Sequence, residues 1–116
     1  MIQVYGIANC DSVKKARAWL DARGVNHAFH DYKKHGVPEA ELTRWVSAVG
    51  WEVVLNRKGT TWRALDPSVR ASVIGDTAAI AVMRANPSTI RRPVVTRGNS
   101  MIVGVDFDGL AALIAW

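Results

Sequence analysis

The residues able to do chemistry are few, and they lie far apart in the chain. Cys10 is the only cysteine among 116 residues. Asn9 and Asp11 flank it, and Lys14 and Lys15 follow one turn on. A thiol acts as a nucleophile only as its thiolate, so its surroundings decide its reactivity. Basic residues gather at Arg57-Lys58, at Arg91-Arg92 directly before Pro93, and at Arg97. Arginine suits anion binding because it stays charged and offers a fork of donors to an oxyanion or carboxylate.

Other chemistries find little support. The histidines are His27, His30 and His35. The first two stand three apart on an expected strand and so point to opposite faces, which prevents a shared metal ion. One cysteine cannot make a C-x-x-C zinc signature, and no metal is expected. Lys58-Gly59-Thr60-Thr61 has the residue types of a phosphate loop but not their order. Arg57-Lys58 with Trp62-Arg63 is a weak basic and aromatic patch without a second stacking platform, so no nucleic-acid partner is expected. A nucleophile elbow for a serine triad is absent.

The elements that must position Cys10 are readable. Ile2 to Ile7 is an apolar run that suits a short buried strand. Val13, Ala16 and Leu20 recur at helical spacing after it. Asp11 or Ser12 is the expected N-cap, and Arg23-Gly24 the stop. Cys10 therefore falls between a strand end and the first turn of a helix. Free N–H groups and the positive helix end favour an anion there. A lone cysteine equally suits a small buried apolar position with no chemistry. Its polar neighbours argue against a dry pocket.

His27 to Tyr32 reads as a second strand, parallel to the first. Lys33 to Gly36 reads as a loop. Pro38 is expected in the first turn of a helix carrying Leu42, Trp45, Val46 and Val49, ended by Gly50. Residues 51–90 show no clear strand and read as several short helices. Asp66-Pro67 and Asp76-Thr77 are their caps, and Asn86-Pro87 is a break. This stretch is too short to hold a core alone and is expected to pack against the sheet or beside it. Strand character returns at Pro93 to Thr96 and at Met101 to Val105, joined by a Gly98-Asn99 hairpin turn. Asp106 or Asp108 then caps a final helix with Leu110, Leu113 and Ile114. A proline at the start of a strand is either a plain edge feature or part of a cis turn.

Composition fits one α/β domain over residues 1–116 with a helical insert at about 37–90. Hydrophobic content is 49% and charged content 22%, both ordinary for a globular chain. The net charge of +5 is scattered over the sequence. No apolar run approaches a membrane span and no signal peptide is evident. One cysteine forms no internal disulfide. These features together favour the reducing cytoplasm.

The order β-α-β, helical insert, β-β-α, with cysteine at the first strand–helix junction and proline opening the third strand, resembles a thioredoxin-like fold. The segments Tyr5 to Arg17, Phe29-His30-Asp31-Tyr32, Leu55 to Arg63 and Arg91 to Val95 resemble the arsenate reductase-like family. That family includes glutaredoxin-linked arsenate reductases and the Spx regulators, and the YffB-like branch is the nearest match. The resemblance implies that Cys10 is the catalytic cysteine. It implies a substrate-binding set of Asn9, Arg57, Arg92 and Pro93, with the bond before Pro93 cis.

Three departures qualify what the resemblance implies. Gly6 stands where the arsenate reductases carry a histidine. Gly104 stands where they carry a third arginine. Val13 stands where Spx regulators often carry the second cysteine of a switch. The expected activity is a glutathione-dependent thiol reductase with no bound cofactor and glutathione as co-substrate. Glutaredoxin or a glutathionylated protein is a further expected partner, and the chain is expected to be a monomer. Two alternatives follow from the same resemblance. One is arsenate reduction. The other is a non-enzymatic regulator that binds a macromolecule, as the Spx regulators bind RNA polymerase.

Overall fold

The computed structural model describes residues 1–115. The described chain divides into two compact units: Met1–His35 together with the chain from Arg92 onward, and Gly36–Arg91.

The first unit is built on a four-stranded sheet. β1 (Ile2–Gly6) pairs in parallel with β2 (His27–Asp31), from Ile2↔His27 to Gly6↔Asp31. On its other side β1 pairs antiparallel with β3 (Val94–Arg97), which pairs antiparallel with β4 (Ser100–Val103). The strand order is β2-β1-β3-β4. β1 is central, which explains why it is apolar throughout its length apart from Gln3. The parallel β1–β2 pair needs a crossover, and α1 (Asp11–Ala22) supplies it. Ile2, Val4 and Val95 on one sheet face pack with Ala16 and Leu20 of α1 and with Leu110 and Leu113 of α8 (Phe107–Ile114). Val4, Leu20 and Leu110 are fully buried, so truncating either leucine to alanine should cost about 2–5 kcal/mol. The topology is thioredoxin-like, as the order of elements in the sequence implies.

Several local expectations shift. The N-cap of α1 is Cys10, not Asp11 or Ser12. Asp11 opens the helix instead, where a negative charge favours the dipole. β2 stops at Asp31, and Tyr32–His35 forms a one-turn helix, α2, where strand end and loop were expected. The cause is local: the Asp31 carboxylate accepts the Lys33 N–H at 2.9 Å and turns the chain into a helical start. The Gly98-Asn99 turn forms as expected, with Arg97 opposite Ser100. Gly98 has φ +59°, the left-handed value that a tight hairpin demands. Asp106 caps α8 by accepting the Gly109 N–H at 2.9 Å.

The second unit is helical: α3 (Glu39–Val49), α4 (Trp51–Val54), α5 (Thr60–Ala64), α6 (Pro67–Ser72), α7 (Asp76–Ala85) and a 3₁₀ turn at Pro87–Thr89. Pro38 is the N-cap of α3 rather than a first-turn residue, and Gly75 rather than Asp76 caps α7. Asp66 caps α6 through the Ser68 N–H, with Pro67 in the first turn as expected. Leu42, Trp45 and Val46 of α3 and Ala79, Val82 and Met83 of α7 are buried. Val49, expected on the apolar face of α3, is exposed, and so is Ile74. The chain leaving α4 is zipped to the end of the unit. Leu55 bridges Ile90, the Asn56 N–H donates to the Thr89 carbonyl, and the Arg91 N–H donates to the Val54 carbonyl, both at 2.8 Å. Among the described residues no helix is long and apolar enough to cross a membrane.

Candidate active site

β1 delivers the chain through buried Ile7 and exposed Ala8 and Asn9 to Cys10. Cys10 has extended backbone angles, φ −143° and ψ 124°, and its carbonyl accepts the Lys14 N–H at 2.9 Å. Its side chain is half-buried and free of disulfide. The sulfur therefore sits against the open end of a twelve-residue helix, where N–H groups lack intrahelical partners. Burial pushes its pKa up. The Val13 N–H, the hydrogen bond and charge of the Arg92 guanidinium, and the Ser12 N–H together outweigh burial and hold the thiol below its ordinary value. As a thiol the sulfur makes no capping hydrogen bond. As a thiolate it has those two N–H groups and a guanidinium to draw on.

Arg92 and Pro93 come from the entry to β3. The Arg92–Pro93 bond is cis. Pro93 is buried and its carbonyl accepts the Gly104 N–H at 2.8 Å, which ties the β3 entry to the end of β4. Because β3 runs antiparallel to β1, its start lies at the end of the sheet where β1 runs out toward Cys10. This topology brings Arg92 to the sulfur across 82 residues of sequence. Asn9 is exposed, and its Oδ1 accepts from Lys14 Nζ at 3.5 Å.

Arg57 belongs to the second unit. It lies in the turn between α4 and α5, with its guanidinium 5.2 Å from the Trp51 ring centroid and Nη2 3.7 Å from the Glu52 carboxylate. In that turn Asn56 Oδ1 accepts the Lys58 N–H at 3.1 Å. Cys10, Asn9, Arg92 and Pro93 are thus gathered in one unit, and Arg57 is carried by the other.

The two glycine positions are shaped against larger residues. A Cβ on Gly6 would stand 2.7 Å from Val13 Cγ2, inside the packing of α1 on the sheet. Gly104 has φ +84°, a value that side-chain-bearing residues rarely adopt.

Tyr32, expected as the last residue of the second strand, lies at this end of the sheet without having been assigned a role. It is buried, and its hydroxyl has no hydrogen-bond partner among the described residues. Burial raises its pKa, the Tyr5 phenol raises it further, and the nearby Arg92 guanidinium opposes them. Its ring lies 6.0 Å from that of His30, which lies 5.4 Å from Tyr5 and 5.6 Å from His35. Among the described residues no group of three or more His, Cys, Asp or Glu is placed to hold a metal ion.

The ArsC family profile matches residues 5–113. The chain belongs to the ArsC family. The solved structure of the YFFB protein superposes with a TM-score of 0.94 at 45% identity, covering 99% of this chain and all of that one. An ArsC-related protein from Brucella melitensis, described as arsenate reductase related, gives a TM-score of 0.74 at 42% identity, covering 99% and 95%. The global transcriptional regulator Spx of Streptococcus pyogenes serotype M3 is 27% identical over 117 residues, covering 99% of this chain and 86% of the regulator. The chain is thus similar, over nearly all of its own length, both to a reductase-related protein and to a transcriptional regulator.

Proposed function

We propose that this ArsC-family protein is a glutathione-dependent thiol reductase with Cys10 as nucleophile. The observation that carries the reading is the Cys10–Arg92 pairing at the N-terminus of α1, which favours the thiolate. The thiolate attacks the glutathionyl sulfur of a mixed disulfide R–S–S–G. A Cys10–S–S–G bond forms, the S–S bond of the substrate breaks, and R–S⁻ leaves. The chain has no second cysteine, so an external thiol completes the cycle. Glutathione thiolate attacks the mixed disulfide, Cys10 leaves as thiolate, and oxidised glutathione departs with the two electrons' worth of oxidation.

Arg92 is the proposed partner of one glutathione carboxylate and Arg57, by family resemblance, of another. Asn9 and Pro93 complete the binding set. No resident cofactor is needed for this exchange. We place the activity in a reducing cytoplasm and on a monomer, with glutaredoxin or a glutathionylated protein as partner. Arsenate is a poorer fit, because Gly6 and Gly104 present no polar group, the first packed against Val13 and the second held at a positive φ.

The regulator reading has one specific support, the similarity to Spx across 99% of this chain. Purified protein assayed with glutathione and a glutathionylated peptide separates the readings. Saturable turnover that is lost in Cys10→Ser is expected. Efficient arsenate turnover without disulfide turnover would overturn the assignment. So would no turnover together with capture of a large partner by the Cys10→Ser variant.

A further inference from the structure

Two helices of the first unit begin at the sheet end that carries Cys10. Cys10 is the N-cap of α1, and Asp106 is the N-cap of α8. β4 reaches that end because Val103 stands opposite Val94, the first residue of β3. There the Gly104 N–H donates to the Pro93 carbonyl at 2.8 Å. Just beyond Gly104 the chain presents two apolar residues to water, Val105 at 37% exposure and Phe107 at 45%. Phe107 is not loose. Its ring stacks on Trp19 of α1, with centroids 6.2 Å apart and planes 20° from parallel. Trp19 packs on the buried core of the sheet face. The Arg23 guanidinium lies 3.6 Å from the Trp19 ring centroid, and Arg23 Nη1 donates to the Trp19 carbonyl at 3.2 Å. An exposed aromatic ring on a rigid backing meets a partner at little entropic cost, and such rings are what interfaces concentrate.

Chemistry and place select the occupant. The charges near this rim offset one another, Lys14, Lys15 and Arg92 against Asp11, Asp106 and Asp108, so it attracts apolar surface rather than a polyanion. Trp19 lies nine positions after Cys10, about 14 Å along the helix axis, and helical side chains lean back toward the N-terminus. Phe107 is therefore within reach of about four or five extended residues from the sulfur. A mixed disulfide opened by Cys10 has a glutathionyl half and a protein half, and the protein half must lie over surface adjoining the thiol. We propose, resting on the reading of Cys10 as nucleophile, that Val105 and Phe107 form a docking rim for that protein half: a polypeptide whose glutathionylated cysteine has a large apolar side chain a few residues away. Phe107 selects the protein presented to Cys10 and takes no part in the exchange itself.

The test uses Cys10→Ser, which binds without reacting, and fluorescein-labelled peptides that each carry an S-glutathionylated cysteine. A phenylalanine is placed two to five residues from that cysteine, on either side, and is replaced by serine in the controls. Anisotropy should show the best-placed phenylalanine peptide bound about 5- to 30-fold more tightly than its serine control. Adding Phe107→Ala should remove that preference. Phe107→Leu, which keeps an apolar side chain, should retain most of it, and added salt should not weaken it, since no ion pair is involved. Equal binding of the phenylalanine and serine peptides would overturn the inference. So would a preference that survives Phe107→Ala. Concentration-dependent dimers of the wild type in sedimentation, abolished by Phe107→Ala, would seat a second copy on the rim and overturn it too. Turnover of the same peptides by the wild type is scored separately. The preference without turnover would remove the reductase assignment alone, and turnover without the preference would remove the rim alone.

Discussion

Arg92 and Arg57 are the same residue type in two unlike regions. Arg92 stands at the mouth of β3, half-buried, with the Cys10 sulfur as partner. Arg57 stands in an exposed turn of the helical unit, over Trp51 and 3.7 Å from Glu52. In the first region the sheet fixes the arginine. The strand that follows it is hydrogen-bonded to the strand that delivers the cysteine, and burial strengthens what its charge does. In the second region the arginine has exposed neighbours and a screened ion pair of little worth. One arginine thus bears on the ionisation of the nucleophile, whereas the other stands exposed on the helical unit, where we propose that it engages an incoming anion.

The largest break of this comparison removes its common target. Cys10→Ser should abolish glutathione-dependent turnover completely while circular dichroism stays that of the wild type. Next comes Arg92→Ala. Losing a charge-assisted hydrogen bond should reduce turnover by about 10- to 100-fold, and the thiol midpoint, followed by alkylation rate, should rise toward about 8.5. The sign of the accompanying stability effect follows from the lowered thiol pKa. The folded state favours the thiolate, so this contribution is fully present above the unfolded pKa of about 8.5 and fades as pH falls through the folded value. Urea melts of wild type and Cys10→Ser across that window should converge toward low pH.

Smaller effects sharpen the contrast. Gly104→Ala should cost about 1 kcal/mol, because φ +84° penalises a Cβ. That corresponds to a melting temperature lower by about 4–8 °C, read by thermal unfolding. Arg57→Ala should raise KM for the glutathionylated substrate by no more than about 5-fold and leave the thiol midpoint untouched. An equal midpoint shift in Arg57→Ala and Arg92→Ala would erase the distinction between the two regions.

Much of this arrangement was legible in the sequence because local chemistry fixes it. The apolar run at Ile2, the spacing of Val13, Ala16 and Leu20, and Gly98-Asn99 between two β-rich segments each carry their own signal. So does Asp66-Pro67. What escaped depended on contacts between distant segments or on a competing cap. Tyr32 left its strand because Asp31 captured the Lys33 N–H, which a period-of-two pattern does not reveal. Ile74 is 86% exposed although it sits beside buried Val73, because α6 ends at Ser72 and helical spacing no longer applies. The approach of Arg92 to Cys10 came from resemblance rather than from periodicity. No local pattern joins residues 10 and 92; only the antiparallel register of β1 and β3 does so.

On the proposed function Cys10 is an activated nucleophile toward glutathione disulfides. Intact-mass spectrometry of the protein incubated with oxidised glutathione near neutral pH tests it most directly, with Cys10→Ser alongside. One glutathionyl group is expected on the wild type, removed by added reduced glutathione, and none on the variant. A wild-type chain that stays unmodified while small-molecule thiols in the same tube exchange would contradict it.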